Sequence, residues 1–358
     1  MNKVTKTYFL AANSCEGFVS SFGDNYDPFQ NWRAFIIKGG AGTGKSSFMK
    51  SLLEKAQAKN IEAVICPCSS DPDSLDAVIF PSIKAIIMDG TSPHTVEPRY
   101  PGACEEIINL GAFWNSIELY ANAHKIIETT NQNKGLHQAA SRLFLAAGQF
   151  LKDNYFIGLS CLNKEKALHF ADYLCKKHIP LKEGKGYEWV RYLGSVTPKG
   201  IISFSKTALA ETKNTVIFDD PCGAVVNIIM QKLRQILLES GYEIITIKNC
   251  YLPSLIIDGI IIPELSLTFL RQNDFTDFEN TERKIHFKRF INESCFETYK
   301  KRIKQNKKIF FEITKEGCAL LNDAKSVHDQ LESYYIKNMD FDAVKLACEE
   351  LSVKLFGN

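Results

Sequence analysis

Two periods alternate along the chain. Residues 33 to 38 have a continuous apolar centre, Ala34-Phe35-Ile36-Ile37, of the length of a buried strand. A glycine-rich turn follows, and then Phe48, Met49, Leu52, Leu53 and Ala56 recur at helical spacing, which predicts a helix over 45 to 59. Next come a strand at 63 to 66, a proline-containing loop at 71 to 76, and two Ile/Val-rich runs, 77 to 80 and 84 to 88, that read as a hairpin-like pair. Beyond Pro101 the pattern turns helical, with segments predicted at 104 to 119, 136 to 151 and 164 to 177. Strands alternating with helices predict an α/β fold built on a parallel sheet.

The same order returns at a spacing of about 180 residues. FLAANSCEGFVS, beginning at Phe9, aligns with YLGSVTPKGIIS, beginning at Tyr192. The stretch from Ala34 to Met49 aligns with the stretch from Thr215 to Ile229, and CSSDPDSLDAVIFP from Cys68 with CYLPSLIIDGIIIP from Cys250. Three matches in one order at one spacing imply duplication. The second half also ends in helices, predicted at 293 to 317 and 318 to 356. A polar, Gly-rich stretch around Gly184 to Tyr192 separates the halves, giving expected domains of 1 to 188 and 189 to 358. The expected fold class is therefore α/β, with two duplicated P-loop NTPase-like halves that have parallel sheets and helical extensions.

The chemistry sits in the first turn. Gly39, Gly40, Ala41, Gly42, Thr43, Gly44, Lys45 and Ser46 satisfy G-x-x-x-x-G-K-[ST] between a predicted strand and a predicted helix. Glycines let successive N–H groups curve around a phosphate, and the helix that starts there, with Ser47 in its first turn, points its positive dipole end at the anion. Lys45 would reach the outer phosphates, and the Ser46 hydroxyl would bind magnesium. An acidic residue from a neighbouring strand end usually shares that ion. Asp89, closing the run Ala85-Ile86-Ile87-Met88, is the candidate, with Asp71 and Asp73 as rivals; His94 in the following GTSPH loop could orient water. Turn chemistry is the bland reading for Asp71, Asp73 and His94.

The second half supplies an internal control. Aligned by sequence, Asp219-Asp220-Pro221-Cys222-Gly223-Ala224-Val225-Val226 stands opposite the glycine-rich loop, with valines opposite Lys45 and Ser46. Two carboxylates without lysine or hydroxyl would repel phosphate. Asp71, Asp73, Asp89 and His94 lack counterparts there, which links them to the first loop. Asp76 matches Asp258 and so reads as structural.

IIKGGAGTGKSSFMK, CSSDPDSLDAVIFP, IIMDGTSPHTVEPRYPGA and AKSVHDQLESYYIKNMDF together resemble a bacterial family of tandem P-loop proteins, ATPase-like or nucleotide-kinase-related, with no assigned reaction. The resemblance covers nearly the whole chain. It implies nucleotide binding, with hydrolysis or phosphoryl transfer, although here only the first of two loops is intact.

Composition narrows the partners. With 43 basic and 41 acidic residues, the net charge of +2 provides no whole-molecule field for nucleic acid or membrane. The one marked basic run, Lys300 to Lys308, extended by residues 283 to 290, reads as a solvated helix face. No long apolar stretch suggests a leader or membrane span, and a cytoplasmic protein with eleven reduced cysteines is expected. Cys66 and Cys68 could supply two metal ligands, but no second pair or His cluster in the sequence completes a site. His328 and Glu332, four apart, are a weak metal signal, and Tyr334, Tyr335, Met339 and Phe341 read as packing residues. The expected ligands are ATP and Mg2+, and the leading function is a Mg-dependent NTPase or ATP-driven switch. The alternatives are a small-molecule or nucleotide kinase and a non-catalytic nucleotide-gated interaction module; a protein partner or homo-oligomer stays open.

Overall fold

The computed structural model describes residues 6–276, 278 and 284–357. The first half of the sequence contributes strands β1 (Lys6–Thr7), β2 (Ala11–Ser14), β3 (Gly17–Ser20), β4 (Arg33–Lys38), β5 (Val64–Pro67), β6 (Leu75–Phe80), β7 (Ala85–Asp89) and β8 (Glu105–Asn109). Its helices are α1 (Lys45–Ala58), α2 (Ser116–Ala121), α3 (Ala123–Ser160) and α4 (Lys164–His178). The second half adds β9 (Tyr187–Arg191), β10 (Gly194–Thr197), β11 (Gly200–Ser203), β12 (Asn214–Asp219), β13 (Glu243–Lys248), β14 (Ile257–Ile262), β15 (Leu267–Gln272) and β16 (Lys284–His286). Its helices are α5 (Ser205–Ala210), α6 (Ala224–Glu239), α7 (Glu293–Ile336) and α8 (Phe341–Phe356).

The protein is mixed α/β. One six-stranded sheet runs β1-β5-β6-β7-β4-β8, and the other, read from the matching edge, β9-β13-β14-β15-β12-β16. Every strand thus has a counterpart in the same place. Even the register shifts coincide, at Cys66/Pro67 and at Ile247/Lys248. Both sheets depart from the parallel expectation in the same way. β5-β6 and β6-β7 pair antiparallel, whereas β7-β4 and β4-β8 pair parallel. The tight turn between β6 and β7, with Lys84 at φ 49°, is too short for a crossover and forces a hairpin.

Three helix expectations change. Residues 104 to 119 are not one helix: β8 comes first, then a 3-10 turn and the short α2. Glu105 explains this, because its buried carboxylate accepts the hydroxyl of Tyr26 at 2.7 Å and the backbone N–H of Tyr100 at 2.5 Å, which anchors the strand beside β4. The helix expected at 136 to 151 spans all of α3. The break expected at Gly317 lies instead between Ile336 and Phe341. Gly317 sits inside α7 because a Cβ there would stand 2.3 Å from the Phe144 ring, so it serves close packing rather than termination.

Contacts divide the chain into two compact units. One gathers Ala11–Val19 and Ser141–Gly317; the other gathers Ser20–Ala140 and the chain from Cys318, together with the segment ending at Leu10. Each unit takes its sheet from one half of the sequence and its closing helix from the other. In the unit built on β4, α8 lays Val344, Cys348, Leu351 and Leu355 on Phe48, Met49 and Leu52 of α1. In the unit built on β12, α4 lays Ala167, Ala171, Leu174 and Cys175 on Val225, Ile229 and Leu233 of α6. The entries to these helices match bond for bond. Asp340 N–H donates to Phe113 O at 2.8 Å and Asn115 N–H to Asn338 O at 2.7 Å; in the other unit Asn163 N–H donates to Phe290 O at 2.7 Å and Asn292 N–H to Cys161 O at 2.8 Å.

That second junction also brings Cys161 and Cys295 into a disulfide across 134 residues, which corrects the expectation that every cysteine is a free thiol. The basic run on α7 is largely answered by acids: Arg302 pairs with Asp153 at 2.6 Å, Lys307 with Asp274 at 2.7 Å, and Lys300 with Glu297 at 3.1 Å. Arg283, expected to extend that run, lies outside the described residues. No helix among the described residues is long and apolar enough to cross a membrane.

If α8 is what covers α1, Leu351→Ala, which empties a site only 5% exposed, should destabilise that unit by about 2–4 kcal/mol in denaturant unfolding. A change below about 1 kcal/mol would contradict the packing of α8 on α1.

Candidate functional site

The loop after β4 owes its shape to three glycines with different tasks. Gly44 takes φ 87° and starts α1 as a left-handed cap; among the described residues no side chain accepts from the N–H groups of Lys45, Ser46 or Ser47. Gly42 has φ 67°, and a Cβ there would meet the backbone oxygen of Glu332 at 2.9 Å. A Cβ on Gly40 would lie 2.8 Å from the Tyr335 ring. The C-terminal part of α7 therefore lies directly on the loop, which its glycines alone permit. Thr43, fully buried, donates from its hydroxyl to Gly40 O at 2.9 Å and closes the turn. Ala41 is half-buried and Ser47 exposed.

Lys45 folds back over the loop, with Nζ donating to Gly40 O at 2.8 Å and Gly39 O at 3.2 Å. Asp89 ends β7 beside Ile37 of β4, and its Oδ2 lies 3.7 Å from Lys45 Nζ. Its other oxygen accepts the Thr91 N–H at 2.8 Å, while the Thr91 hydroxyl donates to Gly39 O at 3.1 Å. Lys38 fastens the following loop by donating to Gly90 O and Val96 O, each at 2.8 Å. The fold therefore brings together Lys45, Asp89, Thr91 and the glycine-rich loop, residues up to 52 positions apart in sequence that meet at the ends of the parallel β4-β7 pair.

Ser46 and Asp71 are placed otherwise. The Ser46 hydroxyl accepts the Leu75 N–H at 3.0 Å. Asp71 accepts the Ser74 hydroxyl at 2.8 Å and stands 3.7 Å from Lys325 of α7. Asp73 is exposed, and its carbonyl accepts from Lys50 at 2.7 Å. His94 is buried: its Nε2 lies 3.3 Å from Asp76 Oδ1, and its ring meets that of Phe22 edge-on at 5.2 Å. Burial works against the imidazolium, but the charge of Asp76 and its hydrogen bond outweigh it and raise the His94 pKa, with Asp89 adding and Lys45 opposing. Asp76 therefore belongs with the His94 group. The repeat concealed this, because its counterpart Asp258 answers a different cation.

The twin loop differs in length as well as residue type. Six residues separate β4 from α1, and four separate β12 from α6, so Ala224 and Val225, rather than valines at 225 and 226, hold the helix positions of Lys45 and Ser46. Gly223, at φ 77°, matches Gly44. At the head of α6 the protein supplies its own anion: the buried Asp220 carboxylate accepts the N–H of Cys222 at 3.1 Å and of Val226 at 2.9 Å. Arg271, at the register position of Asp89, donates to Asp220 O at 2.9 Å and to Asp258 Oδ1 at 2.6 Å. The twin is closed by side chains at both the points where the first loop is open.

No protein-family model, curated protein or solved structure matches the chain. Functional inference therefore stands on these residues.

Gly42→Ala combines a left-handed φ with a backbone neighbour, and should cost about 1–3 kcal/mol in thermal or denaturant unfolding. Gly135→Ala, where α3 leaves the position open, should be neutral or stabilise by up to about 1 kcal/mol. Equal effects would refute the close approach of α7 to the loop.

Proposed function

We propose that the loop from Gly39 to Ser47 binds the phosphates of a nucleoside triphosphate, ATP with Mg2+, and that the protein is a Mg-dependent NTPase acting as an ATP-driven switch. On this reading the β4-loop-α1 unit is a P-loop, and its half is a P-loop NTPase-like domain whose twin is degenerate. One observation carries the proposal: an uncapped helix N-terminus behind a G-x-x-x-x-G-K-S loop, with Lys45 and the strand-end carboxylate of Asp89 3.7 Å apart. The twin strengthens it by contrast, since there the same helix end is capped by Asp220.

The chain's own groups would divide the work. Loop amides and the α1 dipole bind the phosphates. Lys45 leaves the carbonyls of Gly39 and Gly40 to neutralise charge on the outer phosphates. Ser46, whose hydroxyl now accepts the Leu75 N–H, and Asp89 are the residues that would hold magnesium. Magnesium held there would supply positive charge to offset that on the phosphates. The switch element is the end of α7, because Tyr335 and Glu332 rest on Gly40 and Gly42 and must respond to whatever the loop holds.

Saturating Mg-ATP should raise the melting temperature of the full chain, by an amount equivalent to about 2.7 kcal/mol at a hundredfold excess over Kd. Lys45→Ala combined with Ser46→Ala should abolish the shift; retained ATP binding by the folded double variant would sink the proposal. Asp89→Asn should lower Mg-dependent phosphate release about 10- to 100-fold while leaving binding within a few-fold. Release that requires an added acceptor would make the protein a kinase, and binding without turnover would make it a gated module.

A further inference from the structure

Beside the loop, three side chains with metal-ligand chemistry converge without any role in phosphate binding. Cys68 follows β5, Asp76 lies in β6, and His94 lies in the loop after β7. One ligand atom from each lies within 4.8 Å of the other two. Asp76 is 3% exposed and His94 6%. Asp76 Oδ1 faces the imidazole and Oδ2 is buried; burial, the charge of Asp76 and a hydrogen bond to it raise the Cys68 pKa, so the thiol and the imidazole both border this carboxylate. Buried charges are paired or coordinate metals, and a carboxylate bordered by a thiol and an imidazole can do either. Cys68 Sγ also accepts the Ser70 N–H at 3.4 Å, the type of bond that orients a thiolate.

The twin shows the same place filled. By register Asn249 and Asp258 stand where Cys68 and Asp76 stand, the Asn249 N–H donating to Ile256 O as the Cys68 N–H donates to Ser74 O, and there the Asp258 carboxylate is answered on both oxygens: by Arg271 at 2.6 Å, and by Asn249 at 2.8 Å and Asn273 at 3.3 Å. The guanidinium is a permanent cation supplied from the position that Asp89 occupies in the first copy. With Asp89 there instead, the first copy has a carboxylate, an imidazole and a thiol in place of that guanidinium.

We propose that Cys68, Asp76 and His94 form a binding site for a zinc-class divalent ion, distinct from the magnesium of the nucleotide site. The donor set selects the ion: sulfur and imidazole suit Zn2+ and its neighbours, whereas Mg2+ takes oxygen ligands. Three protein ligands leave one coordination position of a tetrahedral ion open. Ligand atoms around such an ion are about 3.5 Å apart, so small side-chain movements complete the site. The cluster lies close enough to Lys45 and Asp89 for both charges to act on His94, yet the ion's binding does not depend on the nucleotide reading.

The test uses the full chain, stripped of metal by chelation and titrated with Co2+ and Zn2+ in the absence of nucleotide. One Co2+ per chain should bind with the visible bands of a tetrahedral ion and a sulfur-to-cobalt charge-transfer band, and Zn2+ should displace it. Cys68→Ser should remove the charge-transfer band, and His94→Ala should weaken binding about 100-fold or more. Cys250→Ser, in the copy that Arg271 already fills, should leave stoichiometry unchanged. X-ray absorption on the zinc-loaded wild-type chain requires no folded variant. It should give one sulfur near 2.3 Å with the remaining ligands nitrogen or oxygen at about 2.0–2.2 Å. A shell without sulfur, no stoichiometric ion, or full affinity in folded Cys68→Ser would each overturn the proposal. Loss of ATP binding in Lys45→Ala with metal binding intact would leave this site standing on its own.

Discussion

The constraint that organises both copies is the end of a helix that follows a central strand. The first turn of an α-helix presents several N–H groups with no partner inside the helix, and their dipoles add to a partial positive charge. At the head of α6 that demand is met from within the chain, by the Asp220 carboxylate accepting from the N–H groups of Cys222 and Val226. At the head of α1 no side chain among the described residues meets it. The difference begins with two residues of loop and one charge. A four-residue loop that starts on Asp220 can turn its own carboxylate inward, whereas a six-residue loop that starts on Gly39 has none to turn.

The remaining asymmetries follow from that one. Where the anion is internal, Arg271 is useful next to it, since one guanidinium can bond Asp220 O and the Asp258 carboxylate together. In the first copy Asp89 stands at that position, 3.7 Å from the Lys45 ammonium. Replacing Arg271 by Asp89 in turn leaves Asp76 without a guanidinium, and Cys68 and His94 gather around it. In one copy an aspartate and an arginine close the helix head, and in the other a lysine and an aspartate stand beside it.

Much of this was legible in the sequence. The continuous apolar centre of β4 and the helical spacing in α1 gave both elements with their boundaries within a residue, and the repeat was visible because β-hairpin lengths and turn positions are conserved between copies even where side chains are not. Lys45 and Asp89 could be paired in advance because parallel neighbours end at the same edge of a sheet. His94 was singled out as well, but its partner was missed. Asp76 looked structural because Asp258 mirrors it, and a linear comparison does not reveal that the same carboxylate answers arginine in one copy and histidine in the other. Cys68 seemed to lack a completing His for the same reason: His94 lies 26 positions away in sequence and meets it only after two hairpin turns.

What the sequence determined by itself was local: the strand-turn-helix of the glycine-rich loop, the repeated order of elements, and the absence of a lysine and a hydroxyl from the corresponding turn of the second half. These depend on periodicity, turn residues and short-range spacing, all of which are written along the chain. The tertiary structure alone decided which helix covers which sheet. An amphipathic helix specifies that it must be covered, and α4 and α8 offer similar apolar faces, so the pattern cannot choose between keeping each helix at home and exchanging it. The choice is made by long-range fits: Asp340 on Phe113, Asn163 on Phe290, Cys161 on Cys295. The same exchange sets the end of α7 on Gly40 and Gly42, a contact between residues some three hundred positions apart that only a folded chain can make.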